Sequence, residues 1–179
     1  EMIKQARKRD FYAKKIYEWE ERLTNYLSKK PYELFEKNDY KAAIEGYNQL
    51  INMGLNTAGI YYYRGLACSR DEKLKSAYDD LAKSIKLDPA YFYSYLEIDY
   101  VLYRQRRYDE IISFWNQYIT LKPDHDEAYL ERSGTYYHKR NFELSLKDAE
   151  KACKLGNEEA CQWAEKLRSK IKLRNLKAI

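Results

Sequence analysis

The sequence is poor both in residues that interrupt helices and in residues that carry chemistry. It contains three Pro, six Gly and two His among its 179 residues. Few helix breakers indicate long helices joined by short turns. No glycine-rich phosphate loop, Cys-x-x-Cys pair or His-Glu-x-x-His sequence occurs, and His125 and His138 lie 13 residues apart. We therefore expect no enzyme activity, no cofactor and no metal site.

Long apolar runs are also lacking, and the middle of the chain carries no net basic charge. No apolar run approaches the roughly 18 residues that cross a bilayer, and the basic N-terminus lacks the apolar segment of a signal peptide. We expect no membrane span, and the cytoplasm is slightly favoured. Residues 1–30 carry nine Lys/Arg against five Asp/Glu, and residues 164–179 carry six against one, so the middle is slightly acidic. Nucleic acid is disfavoured as a partner because its binders concentrate basic charge on one face.

What the sequence does contain is a repeat of 34 residues. SIKLDPAY ends one helical stretch at Pro89, and YITLKPDH ends another at Pro123, 34 residues later. This period defines the frames 24–57, 58–91, 92–125 and 126–159. Large side chains recur at positions 4 and 17, mostly small ones at position 20, and the apolar pattern breaks near position 15. Each frame is predicted to be a helical hairpin whose remaining apolar face is buried by the next hairpin.

These positions resemble those of the tetratricopeptide repeat (TPR). The clearest stretch is YYYRGLACSRDEKLKSAYDDLAKSIKLDP, in which Tyr61, Gly65, Ala77 and Pro89 occupy family positions. The resemblance implies an all-α fold, a right-handed α-α superhelix that forms a solenoid of antiparallel helix pairs. The sequence predicts six segments: an N-terminal amphipathic helix over 1–30, a degenerate first repeat over 31–57, repeats over 58–91, 92–125 and 126–159, and a C-terminal capping helix over 160–179.

Two residues depart from the repeat pattern at position 8, where a small side chain is usual. Pro31 takes this position in the first frame and is predicted to break or delay the first helix. Asp99 takes it in the third frame, opposite the bulky Ile111. We expect Asp99 to be partly solvated or hydrogen-bonded to a nearby Tyr.

The N-terminal helix carries an apolar stripe that includes Trp19, Leu23, Tyr26 and Leu27. As a cap, it would bury this stripe on the first repeat. As a docking helix, it would place the stripe in a groove of its own or a neighbouring chain, or form a dimer.

Positions 2, 5, 9 and 12 form a second stripe on each first helix, about 100° from the packing stripe. In TPR proteins this stripe lines the concave ligand-binding surface. With position 13 added, the predicted peptide-binding groove comprises Tyr62, Leu66, Arg70, Tyr93, Leu96, Tyr100, Tyr103, Arg104, Leu130, Tyr137 and His138.

A tyrosine-rich groove is typical of an interaction surface, since Tyr offers a large contact area at little cost in rotamer entropy. We therefore predict a non-catalytic scaffold that holds a peptide or helix of a protein partner. One alternative is a self-assembling structural subunit, a homo-oligomer formed through the N-terminal helix. The other is single-stranded RNA binding by stacking on the tyrosines.

The groove lacks the carboxylate clamp by which chaperone-adaptor TPR proteins hold a terminal carboxylate. The clamp uses Lys, Asn and Arg at positions 2, 5, 6 and 9 of successive repeats. Counted from the first frame, these sites hold Ser28, Tyr32, Tyr63, Tyr93 and Glu97. Counted one frame later, they hold Tyr62, Leu66, Glu97, Glu127 and Glu131. The acidic C-terminus of a chaperone is therefore not the expected ligand.

Cys153 and Cys161 flank a turn in KACKLGNEEAC, with seven residues between them. This spacing resembles cysteine-rich, secreted bacterial helical-repeat proteins, in which such pairs are bridged. The resemblance makes the two residues a candidate disulfide and would favour a periplasmic or secreted location. Free thiols in a reducing compartment are the alternative.

Overall fold

The chain is helical throughout the part that the computed structural model describes: the backbone of residues 2–176 and the side chains of residues 14, 15, 18, 19 and 22–176. No strand occurs within that backbone. The helices are α1 (Met2–Glu36), α2 (Tyr40–Asn52), α3 (Ala58–Arg70), α4 (Leu74–Leu87), α5 (Phe92–Arg104), α6 (Tyr108–Leu121), α7 (Asp126–His138), α8 (Phe142–Lys154) and α9 (Glu158–Leu176).

The turn inside each hairpin has the same backbone in all four frames. Position 15 is left-handed each time, at Asn38, Glu72, Arg106 and Arg140, with φ of 62°, 60°, 58° and 59°. The backbone N–H of the next residue donates to a carbonyl oxygen five residues earlier: Asp39 to Leu34, Lys73 to Cys68, Arg107 to Leu102 and Asn141 to Tyr136. This is the 6→1 bond of a Schellman motif, which ends a helix and caps its free carbonyls. The 34-residue period is therefore present in the backbone.

The chain divides into two compact units, Glu1–Asp80 and Leu81–Ile179, which we call the N-terminal and C-terminal units. In the N-terminal unit α1 packs on α2, and α2 packs on α3. Its core contains Tyr47, Leu50 and Ile60, with Leu27 and Tyr63 packed against them. The C-terminal part of α1 thus serves as the first helix of a hairpin.

Pro31 does not interrupt α1, contrary to the prediction of a broken or delayed first helix at this residue. The helix continues through Pro31 to Glu36, so no helix boundary separates residues 1–30 from residue 31 onward. Pro31 is buried, and a Cβ added to Gly46 of α2 would lie only 2.8 Å from its Cγ. Proline removes one helical hydrogen bond and crowds the preceding turn. Close packing of the ring over Gly46 offsets that cost.

In the C-terminal unit, each helix from α5 to α9 packs on the next one. Trp115 and Tyr95 are among its largest fully buried side chains. Ala149 of α8 packs with Ala164 and Leu167 of α9, which covers the end of the unit. Since the other face of α9 carries exposed Lys and Arg side chains, α9 has the amphipathic character of a terminal helix.

One partly buried ion-pair network occurs twice, at positions 68 residues apart. In each copy an Arg on a first helix holds an Asp on the second helix of the same hairpin through two nitrogens, and an Asn of the preceding hairpin through a third. Nitrogen–oxygen distances lie between 2.5 and 2.8 Å. The copies are Arg64–Asp80–Asn48 in the N-terminal unit and Arg132–Asp148–Asn116 in the C-terminal unit. Both guanidinium groups therefore make structural contacts.

Candidate functional site

Three tyrosines project from one side of α5. Tyr93, Tyr100 and Tyr103 are 61%, 42% and 41% exposed. They are spaced by seven and three residues and therefore share one face of the helix. The Arg104 guanidinium donates to the Tyr100 hydroxyl at 3.0 Å. We call Tyr93, Tyr100 and Tyr103 the α5 tyrosine stripe.

The opposite side of α5 anchors the stripe in the core. Tyr95, Ile98, Val101 and Leu102 are at most 1% exposed. The Tyr95 hydroxyl also donates to the backbone oxygen of Pro89 at 3.1 Å. A helix held in this way presents its exposed side chains on a fixed backbone, which lowers the entropy lost when a ligand binds.

The C-terminal end of α7 lies next to this stripe. The His138 ring is 4.9 Å from the Tyr103 ring, measured between centroids, and its face is parallel to that of Tyr108. Leu130 is half-buried and packs against the core around Tyr129. Tyr137 is also half-buried, because its ring packs against Trp163, with centroids 5.0 Å apart.

The predicted groove residues of the N-terminal unit differ in their accessibility. Arg70 is exposed and donates to the Ser69 hydroxyl at 3.2 Å, and Tyr62 is half-buried beside Tyr63. Leu66 is only 8% exposed, which contradicts its prediction as a ligand contact of the groove. It lies in the buried stretch from Gly65 to Ser69, where packing covers several sides of α3.

Asp99 is half-buried and so partly solvated, as one of the two expectations has it, but its hydrogen-bond partner differs from the expected Tyr. Its carboxylate accepts from the indole N–H of Trp115 at 2.5 Å, so the partner is a Trp and not a Tyr. Burial raises the pKa of Asp99 to about 6, although the Trp115 hydrogen bond acts in the opposite direction. A carboxylate in the small-residue position is tolerated because an indole donor faces it.

Glu131 of α7 lies in an acidic environment. Its pKa is raised to about 7, first by desolvation of the carboxyl group and then by the charges of Asp99, Glu127 and Glu159. The residue as a whole is exposed. All three charges that act on Glu131 are negative, so this part of the C-terminal unit would repel an anionic ligand.

Cys153 and Cys161 form a disulfide across the α8–α9 turn, with Cα atoms 4.6 Å apart. Burial raises the pKa of the Cys68 thiol to about 11.

Among the side chains that the structure describes, no group of three or more His, Cys, Asp or Glu is arranged to hold a metal ion. Within residues 2–176, no helix is both long and apolar enough to span a membrane.

No family model matches the chain, but one curated relative and several solved structures are similar to it. A "small glutamine-rich tetratricopeptide repeat-containing protein 2" from Mycosarcoma maydis is 28% identical over 88 residues, 49% of this chain. The match spans 25% of that relative's own length.

The solved structures resemble the chain over a larger share of its length. A structure of MamA is 22% identical with a TM-score of 0.67, covering 82% of this chain and 86% of MamA. YrrB, described as "a TPR protein with an unusual peptide-binding site", is 22% identical with a TM-score of 0.62, covering 74% of this chain and 69% of YrrB. The first TPR of Spaghetti (RPAP3), described as "bound to HSP90 peptide SRMEEVD", is 20% identical with a TM-score of 0.56, covering 65% of this chain and 94% of that one. The predicted all-α, TPR-type fold class is confirmed.

Proposed function

We propose that this chain, with its tetratricopeptide-repeat fold, is a non-catalytic scaffold that binds a segment of a protein partner along the α5 tyrosine stripe. The observation that carries the proposal is the exposure of Tyr93, Tyr100 and Tyr103 on one face of a helix whose other face is buried. Tyr supplies contact area and a hydroxyl group, and it loses few rotamers on binding. An extended or helical segment would lie across the stripe.

Two of the similar structures support this reading at the level of the fold. YrrB is described as having a peptide-binding site, and the Spaghetti (RPAP3) domain as bound to an HSP90 peptide. The chemistry proposed for this chain differs from that of a carboxylate clamp. Glu127 and Glu131 occupy positions where the clamp has polar or basic residues, and Glu131 is surrounded by negative charge. We therefore propose a partner segment that does not end in an acidic cluster.

The Tyr100→Ala/Tyr103→Ala double variant should bind the partner segment about tenfold to a hundredfold more weakly, because truncated aromatic hot spots typically cost 1–3 kcal/mol. The ligands are peptides selected from a displayed library for binding to the intact chain. Titration calorimetry compares their affinities for the wild type and for the double variant. The variant should retain its far-ultraviolet circular dichroism, since both side chains are exposed.

The matched control is Tyr26→Ala, which removes a 76% exposed Tyr from α1. Its affinity for the same peptides should equal that of the wild type. Equal affinities for the wild type and the α5 double variant would reject the tyrosine stripe as the binding surface.

A second candidate function, self-assembly, is favoured by an exposed apolar stripe on α1. Trp19, Leu23 and Tyr26 are 74%, 46% and 76% exposed, and their spacing places them on one face of the helix. Contiguous exposed apolar surface of this kind marks an interaction site. If the chain self-assembles, we propose that α1 pairs with α1 of a second copy.

Sedimentation velocity over a range of concentrations tests this pairing. If α1 mediates assembly, the wild type should sediment as a dimer or larger, and Trp19→Ser/Tyr26→Ser should shift it to the monomer. The Tyr100→Ala/Tyr103→Ala variant should remain assembled, since its substitutions lie on α5. A wild-type chain that stays monomeric at all concentrations would contradict self-assembly.

A further inference from the structure

A basic cleft lies at the C-terminal end of the C-terminal unit. It has a volume of about 520 Å³ and is lined by Tyr137, His138, Arg140, Phe142, Lys170 and Arg174. These side chains come from the end of α7, the turn after it, the start of α8 and the last two turns of α9. We call this feature the basic cleft.

Lys170 is held in the cleft by aromatic groups. Its ammonium nitrogen is 4.8 Å from the centroid of the Tyr137 ring and 5.1 Å from that of Phe142. It also donates to the Tyr137 hydroxyl at 2.9 Å. Cation–π contacts and a hydrogen bond to a neutral hydroxyl group fix the ammonium group without neutralising its charge. Among the described residues, Lys170 has no ion pair.

The other two cations differ in their partners. The Arg174 guanidinium lies 5.6 Å from the Phe142 ring and forms an ion pair with Glu143, with nitrogen and oxygen 2.6 Å apart. Arg140 is exposed in the α7–α8 turn and forms neither an ion pair nor a hydrogen bond through its side chain to any described residue. Three permanent cations thus face the cleft against one paired carboxylate, which leaves a local charge of about +2.

We propose that the basic cleft binds a phosphate monoester carried on a side chain of a protein partner. A phosphate monoester carries a charge of about −1.5 to −2 at neutral pH and three acceptor oxygens, which matches the uncompensated charge of the cleft. Lys170 supplies a positioned point charge, while Arg140 supplies a planar fork of donors. The aromatic rings cover one side of Lys170, so water screens its charge less effectively there.

The cleft has room for a phosphorylated side chain. A cavity of about 520 Å³ is larger than one anionic group needs, and Tyr137 and Phe142 provide apolar surface for the carbon atoms that carry the phosphate. This site contains no member of the α5 tyrosine stripe. The cleft adjoins the stripe through His138, whose ring lies 4.9 Å from that of Tyr103. Because different variants test the two sites, the inference and the proposed function can fail independently.

Titration calorimetry of the intact chain with matched peptides tests the proposal. The probes are a neutral peptide with one central phosphotyrosine, the same peptide with phosphoserine, its unphosphorylated form and inorganic phosphate. We expect saturable binding of a phosphorylated peptide and none of the unphosphorylated one, with an affinity that falls as sodium chloride is raised. Inorganic phosphate should compete, and more weakly.

Two single variants locate the binding. Lys170→Gln and Arg140→Gln should each weaken phosphopeptide binding about tenfold, since each removes a charge-assisted hydrogen bond. The control Lys172→Gln removes the same charge from α9 outside the cleft and should leave the affinity within about twofold of the wild type. Circular dichroism should show all three variants folded as the wild type is.

Four outcomes would overturn the proposal. One is equal binding of the phosphorylated and unphosphorylated peptides. Another is that Lys170→Gln and Arg140→Gln bind the phosphopeptide as tightly as Lys172→Gln does. The third is that no phosphopeptide binds while a single-stranded oligonucleotide does, with its binding lost in Lys170→Gln. Loss of phosphopeptide binding in Tyr100→Ala/Tyr103→Ala alone would place the ligand on the α5 stripe and also reject the cleft.

Discussion

Replacing Trp115 with Ala is expected to lower the free energy of unfolding by about 3–5 kcal/mol, the usual range for removing a large buried aromatic side chain. Trp115 is 0% exposed. Its ring lies about 6 Å from the rings of Phe92, Tyr95 and Tyr118, at centroid distances of 5.9, 6.0 and 6.2 Å. The substitution would leave a cavity among aromatic rings and remove the donor that faces Asp99. Urea unfolding followed by circular dichroism measures the loss.

The matched control for this experiment is Trp19→Ala. Trp19 is 74% exposed on α1, so its removal should change the free energy of unfolding by no more than about 0.5 kcal/mol. Trp115→Phe separates the two contributions of the buried indole, because Phe retains much of the apolar volume but cannot donate to Asp99. A loss for Trp115→Ala no greater than that for Trp19→Ala would show that Trp115 is not a core residue.

The second large effect is expected at Asp99, where Asp99→Asn should stabilise the protein by up to about 3 kcal/mol above pH 6. Burial raises the pKa of Asp99 to about 6, while the unfolded chain has an ordinary Asp pKa near 4. Between these two values the folded state binds more protons than the unfolded state. The contribution of Asp99 to stability is therefore present at low pH, is lost as the pH rises through about 6 and then stays constant.

The variant removes this titration and keeps the hydrogen bond. The Asn side-chain oxygen can still accept from the Trp115 indole N–H, so the geometry around Asp99 is preserved. The measurement is the difference in unfolding free energy between Asp99→Asn and the wild type at pH 4, 5, 6, 7 and 8. Taking the difference cancels the titrating groups that do not interact with Asp99, whereas Glu131, whose pKa the charge of Asp99 raises, needs its own variant. A difference that stays constant across this range would contradict a raised pKa at Asp99.

Glu131→Gln provides a comparison within the same acidic neighbourhood. Its pKa is raised to about 7, so its stabilising contribution should be lost as the pH rises from about 4 to about 7. We expect a smaller effect than at Asp99, because Glu131 is exposed and water screens its charge. The pair of variants would show how far each carboxyl group limits the stability of the C-terminal unit at neutral pH.

The sequence alone determined the period, the hairpins and the accessible tyrosines of α5. The helical pattern breaks near position 15, and the structure has left-handed residues at that position from Asn38 to Arg140. Helical geometry places Tyr93, Tyr100 and Tyr103 on one stripe, and the resemblance to TPR proteins implies that this stripe faces a ligand. These features depend on residues a few places apart, so the order of the chain is sufficient to place them.

Only the tertiary structure decided which departures from the repeat pattern the fold tolerates and which side chains are in contact. Whether Pro31 breaks α1 depends on the approach of Gly46, and whether Leu66 is accessible depends on packing around α3. The basic cleft brings Tyr137 to Lys170, 33 residues away. The bond from Trp115 to Asp99 joins two helices, and residues that distant in the chain meet only through side-chain packing. Periodicity places a side chain on a face, but the partner on the opposing helix determines its burial, its charge state and its chemistry.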